Sequence, residues 1–599
     1  MKGFMWKSAS VTILTALVLP LSLPLKGQVS VLTHHGDPAR TGANLNETTL
    51  TVANVKSGNF GKLVYRTVDG NIYAQPLIVA EGTGGQTKNV AIVATENNSV
   101  YAFDADDVIQ NSIAQLWKAS LGPSIDYATL YSAIGKPYCT DLTLQIGITG
   151  TPVVQIAPDH PSQGVVFVAA KSKNGNRYSY SLYALNLADG STLGSIPFQG
   201  SVPGHGYGSA NGRIAFNPLY QLNRPALLLV GDILYAAFGG HCDSGPYHGW
   251  VFAFDVSNPK ALRQVALICT TPNGKGPQFD NYDVEGMGGI WMSGAGPAAD
   301  ASGNVYVVTG NGTYNGSTDF SDSVLRLKLN GGHFELLDWF TPANQTFLKD
   351  YDYDLGSGGV TVVPNSHQLI AGGKEGRLYL LDANNLGKGA APSLQSLVAT
   401  RPLPKPPLAY NIHGTPVFWP RAGETYVYVM GEESPLRQYT LTKDPSDQLW
   451  KFNLDAAAVK SSRESAPYPN FPTGLFTQDR TELVWMPGGF LTVSANGTTD
   501  NTGIVWATMP LASNANLMVV RGVLRAFSAS DVSTGELWDS ENTGNNADRL
   551  GQFAKFCPPV VANGKVYVAT FQQENILEGK HVKATDGDQP ALAIYGLRN

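Results

Sequence analysis

Residues 350–359 read DYDYDLGSGG and carry three carboxylates at alternate positions. On an extended segment alternate side chains share one face. Asp350, Asp352 and Asp354 therefore either meet water together or hold a hard cation, which prefers oxygen ligands. Asn311, in TGNG, offers an amide oxygen to the same kind of ion, although an Asn between glycines also suits a left-handed turn. Trp291, in GGIWMSGAGP, can stack a planar ring or simply fill core volume. Lys374, in AGGKEG, is either a cation for anionic oxygens or a turn lysine beside Glu375. The run GGHCDSGPYHGW places Asp243 between His241 and His248. With His205 and His413, also beside glycines, these histidines can converge on a transition metal or remain separate loop residues. No G-x-S-x-G turn occurs, which excludes the serine hydrolases built on that motif.

The elements that must position these groups repeat along the chain. A short strand feeding a second, aromatic strand recurs as NVAIVATENNSVYAFDAD, GVVFVAAKSKN…YSLYALNLADG, GDILYAAFGGH…HGWVFAFDVSN and GNVYVVTGNG…DSVLRLKLNGG. Four more copies follow: HQLIAGGKEGRLYLLDANN, TYVYVMGEESPLRQYTLT, GIVWATMP…VLRAFSASD and GKVYVATFQQE…ALAIYGL. A short strand such as GTPVV or CPPVV precedes each copy, and a fourth such as AQLWKASLG or GELWDSE follows most. Four antiparallel strands repeated eight times predict an all-β, single-domain, eight-bladed propeller over residues 28–599. The eighth copy ends without its fourth strand, and FGKLVYRTVDG (60–70) has the character to supply it and fasten the ring. Trp117, Trp339, Trp450 and Trp538, on the fourth strands, read as blade-packing residues. Long insertions at 121–147, 201–226, 270–289 and 454–490 are expected to cover a binding face. RPLPKPPLAY (401–410) reads as an extended surface crossing.

The composition sets limits. The 599 residues carry a net charge of −6, and no basic cluster follows the N-terminal segment, which excludes a nucleic-acid partner. Lys2 and Lys7 precede an apolar run from about Ala9 to Leu23, so residues 1–27 read as a signal peptide and the protein as secreted or periplasmic. No later run approaches a membrane span. Four cysteines (Cys139, Cys242, Cys269, Cys557) permit disulfides in an exported chain, with three full pairings open. None lies in C-x-x-C or C-x-x-C-H, so a c-type haem is excluded.

Units such as FSASDVSTGELWDSE and VYAFDADD…AQLWKAS resemble the tryptophan-containing repeat of pyrroloquinoline quinone proteins, over nearly the whole mature chain. That superfamily includes eight-bladed quinoprotein alcohol dehydrogenases and a non-enzymatic outer-membrane assembly lipoprotein. GDPARTGANLNETTLT, HGWVFAFD and GGIWMSGAGP are similar to an exported bacterial group named for these repeats. The resemblance implies that Trp291 is the floor beneath a flat quinone, that Asn311 is a calcium ligand and that Asp354 is the catalytic aspartate and a further ligand. It also implies that Lys374 reaches the quinone oxygens. The chain departs from the enzymes in three places. YCTD holds only Cys139 where they carry two adjacent cysteines. Before HGWVFAFD, Ser244 stands where their glutamate ligand lies, with Asp243 about one residue away. The aromatic cluster usual around the tryptophan is missing. Two functions are therefore expected: an oxidoreductase using pyrroloquinoline quinone and calcium on an alcohol or sugar, or a non-catalytic propeller that binds an envelope protein or glycan.

Overall fold

The structure, a computed structural model, describes residues 28–598 apart from 82, 84, 158–159, 276–287, 390–392, 401–409, 464–485, 512–513, 543–545 and 578–579. The expected signal peptide, nearly all of RPLPKPPLAY and most of the insertions at 270–289 and 454–490 lie outside the described residues. Among the described residues no helix is long and apolar enough to cross a membrane.

Eight antiparallel sheets follow one another along the chain, at 77–120, 153–197, 228–269, 298–340, 360–398, 417–453, 490–539 and 560–597; they are numbered here as blades 1–8. Their second and third strands are short runs of β-branched and aromatic residues buried on both faces, as in VAIVA (Val90–Ala94) and SVYAFD (Ser99–Asp104). Hydrophobic clusters bridge successive sheets: Val90, Ile92 and Val100 of blade 1 pack with Val154, Val166 and Val168 of blade 2. One sheet alone cannot cover both of its faces, so the blades must stack into a ring.

The ring closes as the sequence predicts. Phe60–Thr67 pairs with Ala591–Leu597 and completes blade 8, with Phe60 opposite Leu597 and Thr67 opposite Ala591. The Phe60 ring meets Trp506 and Trp538 at 5.3 and 5.0 Å, so the closing strand also packs onto blade 7. The fourth-strand tryptophans tie blade to blade. Trp117 Nε1 donates to Leu187 O of blade 2 at 2.9 Å, and Trp450 N donates to Gln368 Oε1 of blade 5 at 2.7 Å.

The segment 31–44 has no counterpart in the expectations. It runs along the inner edges of the blades and bonds to all eight in turn. Val31 pairs with Ile78 of blade 1, and Leu32 O accepts from Val154 N of blade 2. Pro38 O, Ala39 O and Thr41 O accept from Ala299, Val362 and Phe418 N of blades 4, 5 and 6. Ala43–Asn44 pairs in parallel with Val493–Ser494 of blade 7, and Asn44 Nδ2 donates to Val561 O of blade 8. Blade 3 is reached by Arg40, which donates to Leu227 O at 3.0 Å. Inner strands otherwise present unpaired backbone groups along the channel; this segment occupies them and plugs the axis. The rings of His34 and His35 meet within it at 4.4 Å, tilted by 35°, and burial, with Arg40 nearby, lowers the pKa of both.

Candidate functional site

In a four-stranded antiparallel blade, the connection into the first strand and the one between the second and third emerge at the same end. Every sequence-predicted site residue sits on one of these two connections. Trp291, Asp354 and His413 precede the first strands of blades 4, 5 and 6, while Asp243, Asn311 and Lys374 follow the second strands of blades 3, 4 and 5. They meet at one mouth of the ring. Trp291, Asp243, Asp354, Lys374 and His413 line a single cavity of about 170 Å³ that opens to solvent.

Trp291 is nearly buried and fixed at its edge: Nε1 donates to Gly240 O at 2.8 Å, and Tyr247 meets the ring edge-on at 5.6 Å. A side chain at Gly239 would approach the indole to 2.6 Å, and one at Gly310 would approach it to 2.7 Å and Asp354 Oδ1 to 2.4 Å. Only glycines allow this indole and this carboxylate to lie so close to the backbone.

Asp354 binds on both oxygens. Oδ1 accepts from Asn311 N at 2.6 Å, and Oδ2 pairs with Lys374 Nζ at 2.6 Å. Lys374 also reaches Asp352 Oδ1 at 2.9 Å, as does Asn311 Nδ2 at 3.2 Å. Burial opposes both charges of the central pair. The neighbouring Asp352 and Asp354 nevertheless hold the Lys374 ammonium above its usual range, and Lys374 with the Asn311 N–H holds Asp354 below its own. Burial, followed by repulsion from Asp352 and Asp354, pushes Asp243 up to about 7. Among the described residues Asn311 Oδ1 is buried without a hydrogen-bond partner, behind the cavity wall. The cavity lining carries more carboxylates than cations.

One expectation is corrected, and of the two readings of the histidines the structure keeps the one with separate loop residues. Asp350, Asp352 and Asp354 do not alternate along a strand: Asp350 ends the helix Gln345–Asp350, Asp352 turns at φ 59°, and Asp354 stands before the 3-10 turn Leu355–Ser357. Only the last two face the cavity. The histidines do not converge either. His205 is exposed; His241 Nε2 meets Lys171 Nζ at 2.8 Å; His248 bonds Thr271 Oγ1 and Tyr207 O; and His413 pairs with Glu432. Among the described residues no histidine belongs to a three-ligand cluster.

Sequence reasoning missed Arg224, whose guanidinium lies 4.6 Å from the Phe556 ring in the cavity wall. It comes from the 201–226 insertion, whose length was the only signal. The cysteine pairing was open, and the structure joins Cys139 to Cys242 across 103 residues, beside the cavity, with Cys269 and Cys557 free and buried. This bridge ties the 121–147 insertion to the turn that carries Asp243. Closing so long a loop stabilises the fold by about 5 kcal/mol in the chain-entropy relation. Cys139→Ser with Cys242→Ser is expected to lose about that much in denaturant unfolding.

Four residues of the cavity wall, Cys242, Asp243, Asp352 and Phe556, have left-handed backbones, with φ between 50° and 68°. Each costs roughly 1–3 kcal/mol and persists only where the surroundings enforce it.

Neither a protein-family model nor a curated protein matches this sequence. Solved structures do match. One is the quinohemoprotein alcohol dehydrogenase ADHIIG from Pseudomonas putida HK5, 13% identical with a TM-score of 0.54, covering 95% of this chain and 80% of that one. Another is a europium-containing methanol dehydrogenase, 14% identical with a TM-score of 0.50, covering 95% and 98%. The chain thus has the eight-bladed propeller fold of the quinoprotein alcohol dehydrogenases.

Proposed function

We propose that the protein is an exported oxidoreductase that binds pyrroloquinoline quinone and calcium at the axial cavity and oxidises an alcohol or sugar. One observation carries this reading: a cradled indole and a surplus of carboxylates line one cavity, and Asn311 bonds to two of those carboxylates. The residues present fit both groups. Asn311 Oδ1, Asp354 and Asp243 would hold the cation, and their excess negative charge calls for one. Trp291 would lie against the flat ring, and Lys374 would face its oxygens. A bound quinone supplies the hydride acceptor, and a bound calcium ion the Lewis acid that polarises its carbonyl. The chain itself orients the substrate, keeps Asp354 charged through Lys374 and limits water at the indole face. The Cys139–Cys242 bridge suits an oxidising compartment and supports export. Electrons would leave to a separate acceptor.

The test is reconstitution of the mature chain with the quinone and calcium chloride. Quinone absorbance should survive desalting, and a dye should be reduced when alcohols or aldoses are supplied. Trp291→Ala and Asp354→Ala should each abolish retention. Unchanged retention in both removes the site assignment, and a native chain that retains no quinone overturns the reading in favour of a binding module.

A pH dependence follows from Asp243. Its folded value, about 7, lies above its ordinary 3.8. Its contribution is therefore most favourable below about 4 and declines as pH rises towards about 7, where the buried carboxylate must charge. Calcium offsets that charge, so its affinity should increase over the same range, with proton release measurable by calorimetry in two buffers. Asp243→Asn should flatten both the stability decline and the calcium effect.

A further inference from the structure

The same cavity holds a second proton-handling group. His413 and Glu432 are almost fully buried, with side chains 4% and 2% exposed, and Nε2 lies 2.9 Å from Glu432 Oε1. Glu432 is the partner of Nε2, so Nδ1 is the ring nitrogen without a partner among the described residues, and His413 lines the cavity. The loop that carries it is pinned to both neighbouring site loops. Ile412 N donates to Gly373 O at 3.2 Å, Ile412 O accepts from Ser357 Oγ at 2.6 Å, and Glu432 N donates to Asn411 O at 2.9 Å. His413 is therefore held in fixed relation to Lys374 and Asp354. Asp354 itself is the weaker proton acceptor, because the Lys374 ammonium and the Asn311 N–H each stabilise its charged form.

Resting on the function proposed above, we infer that His413, held by Glu432, is the catalytic residue that accepts the substrate's hydroxyl proton, and that Asp354 remains a charged ligand. The step balances. The substrate O–H bond breaks and its proton joins Nδ1, giving an imidazolium that the Glu432 carboxylate stabilises. The electron pair left on oxygen would form the carbonyl as the C–H bond gives up its pair as hydride, for which a quinone held there would be the two-electron acceptor. Glu432 acts through His413 and is a positioning residue. The other charged groups facing this space are Arg224, beyond the Phe556 ring, with Lys374, Asp352 and Asp354 from blade 5 and Asp141 and Asp243 from the blades opposite.

The experiment uses the full mature chain loaded with pyrroloquinoline quinone and calcium. His413→Gln should retain the quinone yet lose about 10²–10⁴-fold in kcat/KM, and added imidazole should restore part of the rate to His413→Gly. Glu432→Gln should lose less. In the native chain, nitrogen-15 histidine spectra in mildly alkaline buffer should show His413 with Nε2 protonated and Nδ1 bare, a preference that Glu432→Gln removes. A loaded His413→Gln enzyme within about twofold of the native rate overturns the inference and leaves the function standing. A native His413 carrying its proton on Nδ1 overturns it even where the variants fail to fold. A native chain that retains no quinone overturns both.

Discussion

Arg40→Ala is expected to lower the folding free energy by about 3–5 kcal/mol, read as a shift of the guanidinium unfolding midpoint at constant slope. The side chain is wholly buried. Its guanidinium donates to Pro297 O, Thr33 Oγ1, His34 O and Leu227 O at 2.7–3.0 Å, joining the N-terminal segment to blades 3 and 4. Burial lowers its pKa to about 10, with Asp37 working in the opposite sense, so the charge survives at neutral pH through these bonds. Alanine strands three carbonyls and a hydroxyl in a space that water enters poorly, and each unmet group costs about 1–3 kcal/mol. Arg40→Lys should recover little, because a point ammonium cannot serve acceptors spread around a planar fork. An unchanged midpoint would show that the ring holds its own inner edges without the plug.

That plug marks the limit of what the sequence made legible. Blade order, strand count and the closing role of Phe60–Thr67 were readable because every blade repeats one local pattern and strand burial shows in residue type. Residues 31–44 carry no such pattern. Their hydrogen bonds go to seven different strands and to Leu227 at the entry to blade 3, and a segment with distributed partners has no period of its own to detect. The site divides in the same way. Trp291, Asn311, Asp243, Asp354 and Lys374 were accessible one by one because each follows or precedes a recognisable strand, and all such connections at one end of the blades share a mouth. Relations between loops were not accessible. The period-two argument for Asp350, Asp352 and Asp354 assumed an extended backbone, which the left-handed Asp352 breaks. Glycine beside a histidine signals a loop but not its direction, so of four histidines that looked equivalent His205 is exposed and the other three went to three different sets of partners. The His413–Glu432 and Cys139–Cys242 pairs each join loops of different origin, and only coordinates bring them together.

Removing the cation from the carboxylate cluster should produce the largest effect within the site. Lys374→Met keeps the chain length and the backbone bond from residue 374 N to Asp354 O at 3.0 Å, and deletes the one ammonium between Asp352 and Asp354. Asp354, with its side chain 10% exposed, is then a buried carboxylate without its counter-charge beside an unchanged Asp352 and Asp243. Breaking a buried pair this way costs about 3 kcal/mol, the low end of the usual range, since Lys374 itself retains 19% exposure and water reaches part of the pair. The native chain and the variant should differ most without calcium. In the proposed site a divalent ion held by Asn311, Asp354 and Asp243 would supply the missing positive charge, so calcium should raise the unfolding midpoint of the variant more than that of the native chain. At a hundredfold excess over its dissociation constant, the ion adds about 2.7 kcal/mol to whichever form binds it. The Asp243→Asn, Lys374→Met double variant should show a smaller calcium response than Lys374→Met alone, because one ligand and one repulsive charge leave together. Equal calcium responses in all three chains would place the cation elsewhere than among these carboxylates, and with it the proposed chemistry of the cavity.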